Sequence, residues 1–414
     1  MAAKKTAKSK SSKRSTKHSM KSNSLRGSEK RVPPKKAPSA KLTFRANAEG
    51  DTPLTLDEAI AIVQTASPAK RPAARSTKAS ARMAPANRPK IEADAPTVAS
   101  VGIARQNLEQ QQQEERQQRT DEYTALMKLL KHRGVVSGAA ATAGAKSRAA
   151  SKGKGAVRTA ARTVTSPLQV FAEGDSWFHY PVPFFGGGVI PRLQKRLGVP
   201  ILNLANAGDE VRMMLGVKQR EMLAKQLRNG CPAGGAWDAM LFSGGGNDIV
   251  GEPMSLWIQD FRPGVSPETF IHQSRFAAAL AIVQAGYEDL IQMRNDLSPA
   301  TQLYFHAYDF AIPDGRGVCH LGPWLKPTFQ LRKFPTTATV ATEVVKAMLQ
   351  QFAGMLRTLA NTHPQVTLLN TQGTLQATTS SWHNELHPSA AGFDQIAQVF
   401  YQQLANVFGD RIPN

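Results

Sequence analysis

Four short segments bring reactive side chains together with small residues. In Glu173-Gly174-Asp175-Ser176-Trp177 a serine hydroxyl stands where an apolar run, residues 168–174, breaks into a turn. Asn206-Ala207-Gly208-Asp209 and Gly244-Gly245-Gly246-Asn247-Asp248 follow two further apolar runs, and their small residues let backbone come close to a ligand. Trp382-His383-Asn384-Glu385-Leu386-His387-Pro388 sets an imidazole just before an amphipathic stretch. A serine hydroxyl is a poor nucleophile at neutral pH, so it needs a base such as imidazole to take its proton. The N–H groups at the start of a helix favour the negative charge that such an attack develops. Each segment also has a plain structural reading. Ser176 caps a helix, the glycine segments are tight turns, and His387 is a packed histidine at a helix start.

What must position these residues is an alternation of short apolar runs with longer helical stretches, the signature of strand and crossover-helix units in a parallel sheet. Strands are predicted at 168–174, 200–206, 239–245, 302–308 and 366–371, and helices at 188–197, 209–228, 268–296, 337–361 and 388–408. Five strands in residues 166–414 make one α/β domain, a three-layer α/β/α doubly wound arrangement around a parallel sheet. Ligands in such sheets sit outside the carboxyl ends of the strands. All four segments fall there.

Taken as a set, the GDS of residues 174–176, Gly208, the GGND of residues 245–248 and the late His387-Pro388 resemble the sequence blocks of the SGNH, or GDSL, hydrolase superfamily. They come in the family's order, and the resemblance covers residues 168–408. It implies the flavodoxin-like SGNH hydrolase fold and a serine esterase or lipase-like acyl hydrolase acting on carboxylic esters, with no cofactor and no metal. It also implies roles: Ser176 as nucleophile, His387 as general base, and Gly208 N–H and the Asn247 amide as oxyanion donors beside Ser176 N–H. One position departs from the family. Where an Asp commonly stands three residues before the histidine, this chain has Asn384. An amide oxygen can orient the imidazole but brings no charge to it, and in a serine protease the Asp-to-Asn exchange costs about 10⁴ in turnover. Three accounts follow: a Ser–His dyad oriented by Asn384 or a backbone carbonyl, an acid supplied by Glu385, or a weakened enzyme. The first is the reading adopted.

Trp177, Phe178 and Tyr180, with His179, Phe184 and Phe185, follow the serine and either line a substrate pocket or cover the first helix as core. Tyr304, His306, Tyr308 and Asp309 are weaker pocket candidates. Residues 314–335, with Cys319, His320 and Trp324, read as a long insertion able to act as a lid. Short esters, sugar acetyl groups, thioesters and phospholipids all fit these residues, because fold-level likeness does not select a substrate.

The charge of +21 is unevenly spread. Residues 1–164 hold 34 Lys and Arg against 12 Asp and Glu, whereas residues 165–414 hold 18 against 19. Residues 1–100 are rich in Lys, Arg, Ser, Ala and Pro and are expected to be disordered, apart from a short helix over 55–65. Residues 101–133 predict a solvated helix, and 134–165 a low-complexity linker. A basic tail of this kind attracts polyanions, nucleic acid or an anionic surface, without base readout, or serves only as a spacer. The rival to an enzyme is a hydrolase scaffold, weak or inactive, that this tail targets. Two cysteines are too few for a disulfide framework or a zinc site. With no secretory signal and no run of about 18 apolar residues, the expected location is the cytoplasm unless export is signal-independent.

Overall fold

The first strand, β1 (Val170–Gly174), lies inside a parallel sheet with β2 (Ile201–Asn203), β3 (Ala239–Ser243), β4 (Gln302–His306) and β5 (Val366–Leu369), in the order β2-β1-β3-β4-β5. Phe171 stands opposite Leu202 on one side and Met240 on the other. Every residue of β1 and β3 is buried, as strands covered on both faces require. All five predicted strands are present. Each is trimmed: β1 loses its first two residues, and in the other four the last residues of the run leave the ladder to form loops. The computed structural model describes residues 52–66, 98–137, 162–181, 187–318, 321–336 and 339–413.

In chain order the helices are α1 (Leu56–Ala66), α2 (Val98–Arg133), α3 (Val189–Leu197), α4 (Val211–Met214), α5 (Val217–Asn229), α6 (Gly246–Ile249), α7 (Gln273–Leu297), α8 (Lys326–Leu331), α9 (Thr339–Thr362) and α10 (Ala390–Phe408). α3 and α10 pack together on one face of the sheet, and α5, α7 and α9 cover the other. The predicted three-layer fold is thus observed. Ser389 caps α10, its side chain accepting from Gly392 N–H, so the loop carrying His387 ends on a fixed helix start. No helix among the described residues is long and apolar enough to cross a membrane.

The expectation of a solvated helix over 101–133 is corrected. α2 lies along β2, and Tyr123, Met127, Leu129 and Leu130 are buried, as is Arg116. α1 packs on α2 and begins with a capping box: Thr55 N–H donates to Glu58 Oε2 at 2.8 Å, and Glu58 N–H to Thr55 Oγ1 at 3.2 Å. The linker expected over 134–165 is paired at both its ends. Leu54 N–H donates to Gly134 O, Val135 N–H to Val164 O and Val164 N–H to Val135 O. These short bridges join the start of α1, the end of α2 and the approach to β1. The disorder expected for residues 1–51 and 67–97 and the linker over 138–161 fall outside the described residues, as do Phe184, Phe185, Cys319 and His320.

Candidate active site

Ser176 follows β1 at once, in a turn fixed from below by its neighbour. Asp175 is buried, and its Oδ1 accepts from Trp177 N–H at 3.0 Å and Ser243 Oγ at 2.9 Å, while Oδ2 accepts from Tyr308 OH at 2.6 Å. Burial pushes this carboxyl up to about 6 against the pull of those three donors. Ser243 Oγ, having given its proton to Asp175, accepts from His306 Nε2 at 2.8 Å. The other ring nitrogen of His306 accepts from Tyr308 N–H at 3.3 Å, and burial holds this imidazole down to about 3, hence neutral. The turn carrying the serine therefore rests on a polar network whose members all lie under the sheet's carboxyl end.

His387 comes from the loop before α10. Its Nε2 lies 2.7 Å from Ser176 Oγ, and its Nδ1 lies 3.0 Å from Asn384 Oδ1. The same amide oxygen accepts from Leu386 N–H and His387 N–H, each at 2.9 Å. Three donors converge on Oδ1, so the amide cannot turn its NH₂ toward the ring without confronting two backbone N–H groups. The tautomer follows from this. Nδ1 carries the hydrogen, and the Nε2 lone pair faces the serine hydroxyl. On its other side Asn384 Nδ2 donates to Tyr180 OH at 3.1 Å, which leaves the phenol proton for His383 Nδ1 at 2.8 Å. The Tyr180 ring also stacks on His387, with centroids 4.5 Å apart. Burial, with His383 beside it, pulls the His387 imidazole down to about 3.

Gly208 has φ +84°, a conformation that favours glycine, and no atom would meet a side chain built there. Asn247 opens α6, and its Nδ2 donates to the carbonyl of Asp209 at 3.0 Å. The Asn247 amide and the 206–209 turn are therefore tied to each other. Serine hydroxyl, oriented imidazole and a glycine turn held by an amide are the parts that acyl transfer needs.

No family model and no curated protein matches the chain. Solved structures do. A lipase from a goat rumen metagenome is 17% identical over 57% of this chain and 96% of its own, with a TM-score of 0.37. An extracellular lipase from Streptomyces rimosus is 16% identical over 57% and 99%, at 0.35. A protein described as a GDSL-like lipase from Parabacteroides merdae is 14% identical over 59% and 97%, at 0.32.

Several expectations about the site change. Glu385 does not reach His387. Its Oε1 accepts from Gly315 N–H at 2.8 Å and Lys326 N–H at 3.0 Å, and its Oε2 from Trp324 at 2.6 Å and Leu325 at 2.7 Å. Neighbouring residues in this tight loop point opposite ways, so Asn384 Oδ1 faces the imidazole and Glu385 anchors Gly315 and residues 324–326. Gly315 and residues 324–326, on the described parts of the expected lid, are thereby fastened to the His387 loop, with Arg316 Nη1 also donating to Trp382 O at 2.7 Å. Trp177 and Phe178, the pocket candidates, are core. Trp177 is wedged against Tyr308, His306 and Phe393, with its indole N–H given to Leu386 O at 3.0 Å, and Phe178 stacks on His306. Tyr180 is buried too and holds Asn384, as the core alternative for these aromatics has it. Tyr304, His306, Tyr308 and Asp309 are likewise buried. Sequence reading missed Asp175, Ser243 and Tyr308 as a unit, and Tyr180 with His383. The one signal available was an acid directly before the serine.

Proposed function

We propose that this chain is an SGNH-type serine hydrolase that cleaves carboxylic ester bonds. Ser176 Oγ attacks the ester carbonyl as His387 Nε2 takes its proton. The tetrahedral oxyanion is met by the N–H of Ser176 and Gly208 and by the Asn247 amide, each such donor being worth roughly 3–4 kcal/mol of transition-state stabilisation. His387 then protonates the leaving alkoxide, and a water molecule, deprotonated by the same imidazole, releases the acyl group.

The observation that carries this reading is the continuous chain from Ser176 Oγ through His387 to Asn384 Oδ1, at 2.7 and 3.0 Å, in the tautomer a base requires. Asn384 supplies orientation without charge. The targeted-scaffold reading drew on the missing Asp, and an amide whose oxygen is pinned by two backbone donors removes that motive. Reaction of the full chain with a fluorophosphonate probe should label Ser176. Ser176→Ala should abolish both labelling and hydrolysis of p-nitrophenyl acetate while unfolding at the same temperature as the parent. Labelling elsewhere, or an alanine variant as fast as the parent, removes the assignment. For the basic residues of 1–164 we propose contact with polyanions by charge alone, which salt-dependent retention of the full chain on heparin checks.

A further inference from the structure

The turn that carries Gly208 lies at the open edge of the sheet. Among the described residues β2 pairs with β1 alone, and past Asn203 the backbone still bonds on that side: Leu204 N–H donates to Ala172 O at 2.8 Å and Asn206 N–H to Gly174 O at 3.0 Å. Two carbonyls of the turn are capped by arginines of α2. Arg116 Nε donates to Leu204 O at 2.8 Å, and Arg119 Nη1 to Ala205 O at 2.9 Å. Arg116 then reaches along the turn, its Nη2 lying 3.2 Å from Asp209 Oδ2. In the amide orientation that satisfies both its ends, Asn206 Oδ1 accepts from the same nitrogen at 2.7 Å. The carbonyl of Asp209 in turn accepts from Asn247 Nδ2.

One guanidinium therefore spans the turn from residue 204 to residue 209, and the far end of that turn holds Asn247. Gln219 Nε2 also donates to Asp209 Oδ2 at 3.1 Å, while a side chain built at Gly208 would meet no described atom. Oxyanion donors are effective only when fixed before the reaction begins, because reorganising them during it consumes the stabilisation they offer. A planar fork with several donors can fix carbonyls and a carboxylate at once, which an ammonium cannot.

We propose that Arg116, seconded by Arg119, is a positioning residue for acyl transfer: α2, which lies outside the α/β domain in sequence, presets the Gly208 turn and through it the Asn247 amide. The proposal rests on the hydrolase reading above and deepens it. Both arginines act through backbone carbonyls, and Arg116 also through Asp209.

The test uses the full chain and counts active sites by fluorophosphonate labelling, so that kcat is read per labelled Ser176. Arg116→Ala should lower that kcat ten- to a hundredfold with KM within threefold of the parent, because the lost quality is transition-state fit. Millimolar methylguanidinium should restore several-fold of the loss by refilling the vacated fork. Arg116→Lys, which keeps the charge but cannot span both ends of the turn, should fall between the two, and it reads the same quantity should the alanine variant fail to fold. Arg133→Ala, on the same helix but bonded to Thr52 O, should match the parent. A merely structural role for Arg116 would reduce the number of labelled sites and leave kcat per site unchanged, and that result overturns the proposal. A parent that labels and hydrolyses alongside an Arg116→Ala of equal kcat leaves the hydrolase reading standing and sinks this one alone. A parent that does neither sinks both.

Discussion

Asn384→Asp exchanges one NH₂ for an oxygen in surroundings already built to receive it. Oδ1 keeps its three donors, from Leu386 N–H, His387 N–H and His387 Nδ1. The new oxygen meets Tyr180 OH, which now accepts from Nδ2 at 3.1 Å and needs only to swing its proton away from His383. What changes is charge. A carboxylate at hydrogen-bond distance raises an imidazole by about 1–3 pH units, at about 1.4 kcal/mol each. His387 starts near 3, so in the variant it should titrate at about 4–6. The imidazolium formed during attack gains part of the same stabilisation, which corresponds to about a ten- to hundredfold rise in kcat/KM at pH 7. Because the base works only when neutral, the acid limb of the profile must move upward in step: the parent remains active well below pH 5, whereas the variant loses activity as pH falls through its raised value. A pH-stat assay of an activated ester from pH 3 to pH 9 reads both quantities. A tenfold loss at pH 7, or an acid limb that stays where it was, would refute the claim that Asn384 governs the imidazole that does the chemistry. Tyr180→Phe keeps the stacked ring but removes the acceptor for Nδ2, and it should cost only a few-fold because two backbone donors still pin Oδ1.

Other consequences can be measured independently. Glu173 is buried on β1 with one oxygen unpartnered, and burial pushes its carboxyl up to about 8 from 4.5. The sign follows: with the folded value above the unfolded one, its contribution is greatest below about 4.5 and is lost at about 1.4 kcal/mol per pH unit up to about 8. Urea unfolding at pH 5 and pH 8 should therefore show the parent losing on the order of 4 kcal/mol relative to Glu173→Gln, and parallel behaviour of the two would exclude it. Glu385→Gln leaves two of four backbone N–H groups facing an NH₂ and should cost about 2–4 kcal/mol in denaturant unfolding. Turnover per labelled site should change little in that variant, and a large loss would return an orienting role to Glu385.

Much of this fold is written in local pattern. The five apolar runs and the glycine-rich breaks after them locate the strands and the site loops, since a buried parallel strand leaves few other ways to place such a run. The Thr55–Glu58 box and the Ser389 cap are equally local. The burial of α2 is not. Its polar face is held by Arg116 and Arg119, residue types that composition assigns to solvent, and their partners lie in a turn that sequence does not place beside them. Whether Trp177 and Phe178 are pocket or core was open in the sequence for a related reason. In a turn of a few residues no periodicity tells inward from outward, so aromatic character alone decided nothing. Asn384 was legible by its spacing from His387, but the two backbone donors that pin its oxygen there appear only in three dimensions.

The pairing of α2 with the Gly208 turn also has a temporal side. Arg116 precedes Leu204 by 88 residues and Asp209 by 93. At roughly 5–20 residues per second of synthesis, α2 waits about 5–18 s before its partners exist. During that interval the face bearing Tyr123, Met127, Leu129 and Leu130 has only α1 to pack on, and a helix pair of that size gains little from its own hydrogen bonds. The nascent chain thus carries a partly uncovered apolar stripe early and receives His387 last, from the loop before α10. Changes that weaken α2 should show first in the yield of folded chains from the ribosome, before they show in the equilibrium stability of those that finish.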